Sequence, residues 1–194
     1  YLERKESSLV YMINKLIELS EHPDSGFYLY NYSDLSNTLL KNQDSGSRII
    51  LFGVSFALLD FTEEYSFDIP DLTVIETGGM KGRRKELIRE ELHRILCKGF
   101  VVSEIHSEYG MTELLSQAYS QGNGVFNAPN WMKVLTRDTE DALSILPTGK
   151  SGGLNVIDLA NINSCSFIAT QDLGRAYKDG SFEVIGRFDH SDIR

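Results

Sequence analysis

The 194 residues predict an α/β chain, a mainly parallel sheet flanked by helices and followed by a β-rich subdomain. Two observations carry that expectation. Between residues 48 and 102, short apolar runs alternate with stretches whose apolar side chains recur every three or four positions, the pattern of buried strands joined by crossover helices. After about residue 126 the helical spacing stops, and short strand-like runs follow one another between Gly, Pro and Asn turns. The boundary is drawn there, giving an α/β subdomain over residues 1–125 and a β-rich subdomain over residues 126–194.

In chain order, residues 6–20 read as a helix with Leu9, Met12, Ile13, Leu16 and Ile17 on one face. The opposite face mixes charge signs, which favours core packing over a membrane surface. His22-Pro23-Asp24-Ser25-Gly26 breaks this helix; Phe27-Tyr28-Leu29-Tyr30 is expected to be a strand, and Ser33-Asp34 to cap a helix ending at Leu40. A strand is expected at residues 48–53 and a helix at 55–61. The next unit repeats the order: strand 72–75, helix 83–96 with Leu87, Ile88, Leu92, Ile95 and Leu96 as its buried stripe, then strand 100–102, with Lys98-Gly99 as the helix stop. Further strands are expected at 131–135, 154–159 and 166–170. Thr148-Gly149-Lys150-Ser151 looks like the end of a phosphate-binding P-loop, but the position that needs an earlier glycine is Ser144 and a strand follows, so a hairpin turn is expected.

Composition narrows the function classes. The formal charge of −9 argues against a general nucleic-acid surface, which needs a basic stripe. Cys97 and Cys165 make no disulfide framework and have no metal-ligand spacing, and no apolar run is long enough to span a membrane, so a reducing cytoplasm is expected.

The stretch with most chemistry is Glu108-Tyr109-Gly110-Met111-Thr112-Glu113. An aromatic ring, a glycine, a hydroxyl and a carboxylate in five positions suit a nucleotide: Tyr109 can stack on a base, Thr112 can donate to a phosphate oxygen, and Glu113 can hold Mg²⁺. The same residues could also simply start a helix, with Thr112 as its cap. Parallel strands would bring Gly78-Gly79 and Tyr109-Gly110 out at one sheet edge, where open α/β sheets bind ligands.

Together with Thr77-Gly78-Gly79-Met80-Lys81-Gly82 upstream, and with Thr170-Gln171-Asp172 and Gly186-Arg187-Phe188-Asp189 downstream, this stretch resembles the ordered motifs of the adenylate-forming superfamily of acyl-CoA synthetases, luciferases and adenylation domains. The wording around Thr77-Gly78-Gly79-Met80-Lys81-Gly82-Arg83 is most similar to the LuxE-type acyl-protein synthetases. The resemblance covers residues 48–194. It implies that Gly78, Gly79 and Met80 pass along an adenine, that Tyr109, with Gly110 and Met111 behind it, stacks on that base, that Thr112 touches the α-phosphate, and that Glu113 ligates Mg²⁺. It further implies that Asp172 accepts from both ribose hydroxyls, that Arg187 reaches ribose or phosphate, and that Asp189 is a hinge. The implied activity is ATP-dependent activation of a carboxylic acid, a fatty acid in kind, as acyl-adenylate with transfer to a protein or carrier thiol. In the LuxE case an acyl-accepting cysteine is expected close to the C-terminus, past residue 194, and a partner reductase is the other acceptor the resemblance allows. A non-catalytic adenine-nucleotide-binding or scaffold module, and a transferase using another activated carrier, are the alternatives. Gln171 stands where the superfamily has glycine. The superfamily's Ser/Thr/Gly-rich phosphate loop is not among these residues and its catalytic lysine would follow Arg194, so the resemblance implies a fragment. Cys97 and Cys165 are expected to be structural.

Overall fold

The computed structural model describes residues 8–43, 45–69, 71–79, 84–85 and 87–188. The chain forms two compact units, Tyr1–Ile49 and Ile50–Arg194.

The first unit holds α1 (Ser8–Ser20) and α2 (Tyr32–Asn42). The apolar stripe of α1 forms, but no residue of the helix is buried, so the expected core packing is not made. Residues 27–30 are bends rather than the expected strand. The local bonds explain this. Asp24 accepts from Lys41 Nζ at 2.8 Å and Asn42 Nδ2 at 2.9 Å, and the Tyr28 hydroxyl donates to the Asp24 carbonyl at 2.8 Å, which ties the connection down onto α2 and leaves its backbone no strand partner. α2 starts after Asn31, two residues ahead of the expected cap, with Asp34 in its first turn and Lys41 in its last, both favourable to the helix dipole.

The second unit is an α/β fold in which a mixed nine-stranded sheet carries helices on its first part and continues as β structure. Its strands are β1 (Ile49–Val54), β2 (Leu72–Thr77), β3 (His106–Tyr109), β4 (Ala118–Gln121), β5 (Val125–Asn127), β6 (Met132–Arg137), β7 (Ser151–Asp158), β8 (Phe167–Ala176) and β9 (Phe182–Arg187), with α3 (Ser55–Glu64) and α4 (Arg89–Phe100) between the early ones. The sheet order is β1-β2-β3-β4-β5-β9-β8-β7-β6. β2 and β3 pair in parallel, whereas β3 onward pairs antiparallel, with β5 joined to β9 from the far end of the chain. The sheet is thus less parallel than the alternation suggested, and residue 125 lies inside β5 rather than at an edge of the sheet. The turn around Gly149, with φ +84°, leads straight into strand β7 and not into the helix that a P-loop needs, though it ends the long connection from β6 rather than joining two strands as a tight hairpin.

One expected strand is a helix end. Residues 100–102 were expected to be extended, yet α4 runs through Lys98-Gly99 to Phe100 and the strand comes later, at His106–Tyr109. Packing decides it. Phe100 is fully buried and its ring lies 6.1 Å from Phe61 and 6.3 Å from Phe67, beneath α3. Gly99 sits where α4 crosses Thr62, whose Cβ would lie 2.5 Å from any added methyl, so this glycine allows close helix contact instead of ending the helix. The left-handed cap falls on Val101 (φ 54°), a costly place for a β-branched residue. At the other end α4 starts at Arg89 rather than residue 83, because Ile88 is extended and Glu90 and Glu91 supply the acidic first turn.

Beyond β3 the sheet curls. β3 and β8 are four strand steps apart, about 19 Å on a flat sheet, yet the Tyr109 hydroxyl reaches Asp172 on β8 at 2.8 Å. The curl encloses one core in which Tyr109, Phe126 and Phe182 meet Leu154, Val156 and Val184. Tyr109 packs edge-on to Phe182 at 5.3 Å.

Close approach inside the curl makes Gly174 irreplaceable. An added Cβ would overlap the Glu183 carbonyl oxygen on β9 and crowd both Leu154 methyls at 2.8 Å, at the irregularity where β8 shifts register. Gly174→Ala is expected to lower unfolding free energy by about 2 kcal/mol in urea titrations, while Gly186→Ala, whose Cβ position is open, is expected to stay within about 0.5 kcal/mol of the parent. Equal midpoints for the two variants would contradict this packing.

Candidate functional site

The parallel register pairs Glu76 with Ser107 and Thr77 with Glu108. Gly78 and Tyr109 therefore leave the sheet at the same edge, side by side, as expected from the sequence. Thr77 donates its hydroxyl to the Glu108 carboxylate, which folds over Gly110; a Cβ on Gly110 would run into that carboxylate. Gly78 has φ +68°, a conformation that favours glycine.

Beneath this edge lies a buried polar cluster from four elements. Ser55, first residue of α3, lies 2.7 Å from Glu76 Oε2 and 2.8 Å from the Gly78 carbonyl, two acceptors for its one proton. His93 of α4 lies 3.7 Å from Glu76 Oε1 and 3.3 Å from the Ser107 hydroxyl on β3. Burial alone would raise the Glu76 carboxyl, but hydrogen bonds with His93, Ser107 and Ser55 outweigh it and hold the group below the usual glutamate range. The arrangement is not a nucleophilic triad, because the same imidazole nitrogen, Nε2, faces both serine and carboxylate, whereas a relay uses opposite ring nitrogens. Its effect is to brace the Gly78 carbonyl. Farther along, Arg84 grips Glu63 of α3 through two nitrogens at 2.7 and 2.6 Å. The sequence reading missed this cluster, and Glu76, sitting in an apolar run, was the one available signal.

Tyr109 is 2% exposed, and its hydroxyl donates to Asp172 Oδ2. The stacking role expected of it requires a free ring face; here the ring is surrounded by core aromatics and its polar end orients the carboxylate. Asp172 Oδ1 stands 4.0 Å from Arg187 Nε, and Arg187 Nη2 donates to Gln171 Oε1 at 3.2 Å. β8 and β9 thus bring Asp172 and Arg187 together as direct register partners. Met80 and Asp189 lie outside the described residues.

Thr112 and Glu113 sit on an exposed turn after Gly110, and no helix starts there. Two side chains from the end of β7 and the 3₁₀ turn Leu159–Asn161 hold it. Asn161 donates to the Glu113 carbonyl at 2.6 Å and accepts from Leu115 N–H at 2.9 Å. Asp158, fully buried, accepts from Ser116 N–H at 3.0 Å, the Ser116 hydroxyl at 2.8 Å and Ala160 N–H at 3.0 Å. Neither residue was singled out from sequence, since nothing in the spacing joins positions more than 40 apart. Beside this turn opens a groove of about 560 Å³ between Leu115, Tyr119, Pro129 and Trp131.

Among the described residues no three His, Cys, Asp or Glu side chains gather to hold a metal. The exposed carboxylate of Glu113 suits Mg²⁺ in the way that ion prefers, one carboxylate completed by water and substrate phosphate. Cys165 is exposed and Cys97 half-buried, where burial, helped by Glu104, pushes its thiol up. No described helix is long and apolar enough to cross a membrane.

No protein-family profile matches the chain, and no characterised protein matches by sequence. Solved structures match by fold. ATP-bound MatB from Rhodopseudomonas palustris superposes with TM-score 0.56 at 17% identity over 78% of this chain and 33% of its own. O-succinylbenzoate coenzyme A synthetase (MenE) from Bacillus subtilis, in complex with AMP, gives 0.55 at 18% identity over 82% and 34%. The amide bond synthetase McbA from Marinactinospora thermotolerans gives 0.57 at 15% identity over 84% and 35%. The chain therefore has the fold of part of these proteins and spans about one third of their length.

The buried Glu76 cluster gives a pH signature. A carboxyl whose folded pKa lies below its unfolded value contributes stability that is complete above the unfolded value, about 4.3, and is lost as pH falls through the folded one. Stability measured by urea titration is expected to fall below about pH 4.3 in the parent, and this slope is expected to flatten in Glu76→Gln, which at pH 7 loses about 2 kcal/mol. An unchanged acid slope would show that Glu76 is not the group responsible.

Proposed function

We propose that this chain is the nucleotide-binding part of an AMP-forming ligase of the LuxE type, which activates a carboxylic acid, a fatty acid by this reading, and passes the acyl group to a protein or carrier thiol in the cytoplasm. The observation that carries the reading is the meeting of the four motifs: Gly78 and Tyr109 leave one sheet edge together, Tyr109 bonds Asp172, and Asp172 pairs with Arg187. The fold shared with ligases solved with ATP or AMP bound supports it.

In this reaction a carboxylate oxygen attacks the α-phosphorus of ATP, the bond to the bridging β-phosphate oxygen breaks, and pyrophosphate leaves with that electron pair. A thiol sulfur then attacks the acyl carbonyl, AMP leaves, and the thiol proton goes to solvent. Gly78, Gly79 and Met80 run along the adenine. Tyr109 lies behind the site with its ring in the core, and its hydroxyl aims Asp172 at the ribose. Thr112 donates to an α-phosphate oxygen, its exposed turn giving the hydroxyl room to do so. Glu113 would hold Mg²⁺, which would supply charge neutralisation at the phosphates. Arg187 reaches ribose or phosphate, and Asp189 serves as the hinge. The acceptor thiol is, by the same reading, a cysteine of the full-length protein past residue 194 or a thiol of a partner such as a reductase.

ATP–pyrophosphate exchange on the full-length protein, with acids of increasing chain length, tests this. Exchange that depends on acid and rises with chain length is the expected outcome; none with any acid, in protein that binds AMP, would favour a non-catalytic nucleotide-binding module. Asp172→Ala is expected to weaken AMP binding at least about tenfold, and unchanged affinity in the folded variant would remove Asp172 from the site.

A further inference from the structure

Arg137, the last residue of β6, is buried at 8% exposure, yet no carboxylate among the described residues pairs with it. Its charge is met by dipoles. Nη1 donates to the Leu154 carbonyl and to Asn155 Oδ1, both at 2.8 Å, and Nη2 donates to the Thr170 carbonyl at 2.7 Å. The guanidinium carbon lies 5.3 Å from the centre of the Phe188 ring, within cation–π range. Space has been cleared for this plane: a Cβ on Gly153 would lie 2.6 Å from the guanidinium carbon.

A buried guanidinium with no carboxylate partner among the described residues is expensive, and an apolar side chain would pack the same space more cheaply. What the guanidinium does that an apolar group cannot is hold two separate segments at once. Thr170, whose carbonyl it holds, accepts the Asp172 N–H on its own hydroxyl at 3.1 Å. Phe188, whose ring it faces, donates its N–H to the Gln171 carbonyl at 2.9 Å. One planar group therefore fixes the strand that carries Asp172 and the residue that follows Arg187.

We propose that Arg137 is a positioning residue for nucleotide recognition: it fixes the Asp172 carboxylate at the angle needed for the two ribose hydroxyls and holds Arg187 beside it through Phe188. The inference rests on the adenylating reading above. A residue that acts through Asp172 affects ligands with ribose hydroxyls and spares those without them, whereas a merely structural residue affects both alike.

The experiment measures binding of AMP and of 2′,3′-dideoxy-AMP to full-length parent, Arg137→Lys and Phe188→Leu proteins, with melting temperatures alongside. Lysine keeps the charge but lacks the planar fork; leucine removes the ring and leaves the hydrogen bonds of Arg137 in place. The expected result is a loss of about tenfold in AMP affinity for Arg137→Lys, a smaller loss for Phe188→Leu, and dideoxy-AMP affinity unchanged in both. Equal losses for the two nucleotides, or no loss of AMP affinity, would overturn the proposal. If Arg137→Lys does not fold, Phe188→Leu decides by the same comparison. Parent protein that fails to prefer AMP over the dideoxy analogue would overturn the adenylating reading itself, and this proposal with it.

Discussion

The hydrogen bond from Tyr109 to Asp172 is the constraint on which the second unit depends. It joins residues 63 positions apart across a sheet that would hold them far apart if it were flat. Because the bond is buried, leaving either partner unmet would cost more than the bond gains, on the order of 1–3 kcal/mol for the orphaned group. The aromatic cluster of Tyr109, Phe126 and Phe182 makes the curl favourable by burial, and the bond gives it a register. Curl and convergence are thus one event: the geometry that closes the core is also the geometry that gathers the motif residues.

Local pattern revealed much of this and missed the parts set by long-range packing. The strands β1 and β2, the helix after β1 and the parallel pairing of β2 with β3 could all be read from periodicity, although β1 is only partly covered where a buried run was expected. The failures share a cause. Gly99 looks like a helix stop when read alone, and only the crossing at Thr62 shows why it lies inside α4. Phe100 and the two valines after it look like a strand, but Phe61 and Phe67 claim the phenylalanine for the space under α3. Residues 27–30 have strand composition without a strand to pair with.

The candidate site was legible to a similar degree. Gly78, Tyr109, Asp172 and Arg187 were named from sequence and are brought together. The groups that brace Gly78 and the turn after Gly110, namely Ser55, Glu76, His93, Asp158 and Asn161, were not, because each acts through a hydrogen bond to a partner distant in sequence and has no local spacing to reveal it. Tyr109 is the instructive case: the sequence offers an aromatic face, and the fold uses the hydroxyl.

The turn after Gly110 is held chiefly by its main chain. Asn161 reads a carbonyl and an amide, Asp158 an amide, and only the Ser116 hydroxyl among these anchors belongs to a side chain. Shape and chemistry are therefore separable at this position. Residues 112, 113 and 115 can change the chemistry of this surface by single substitutions that leave the loop's path intact.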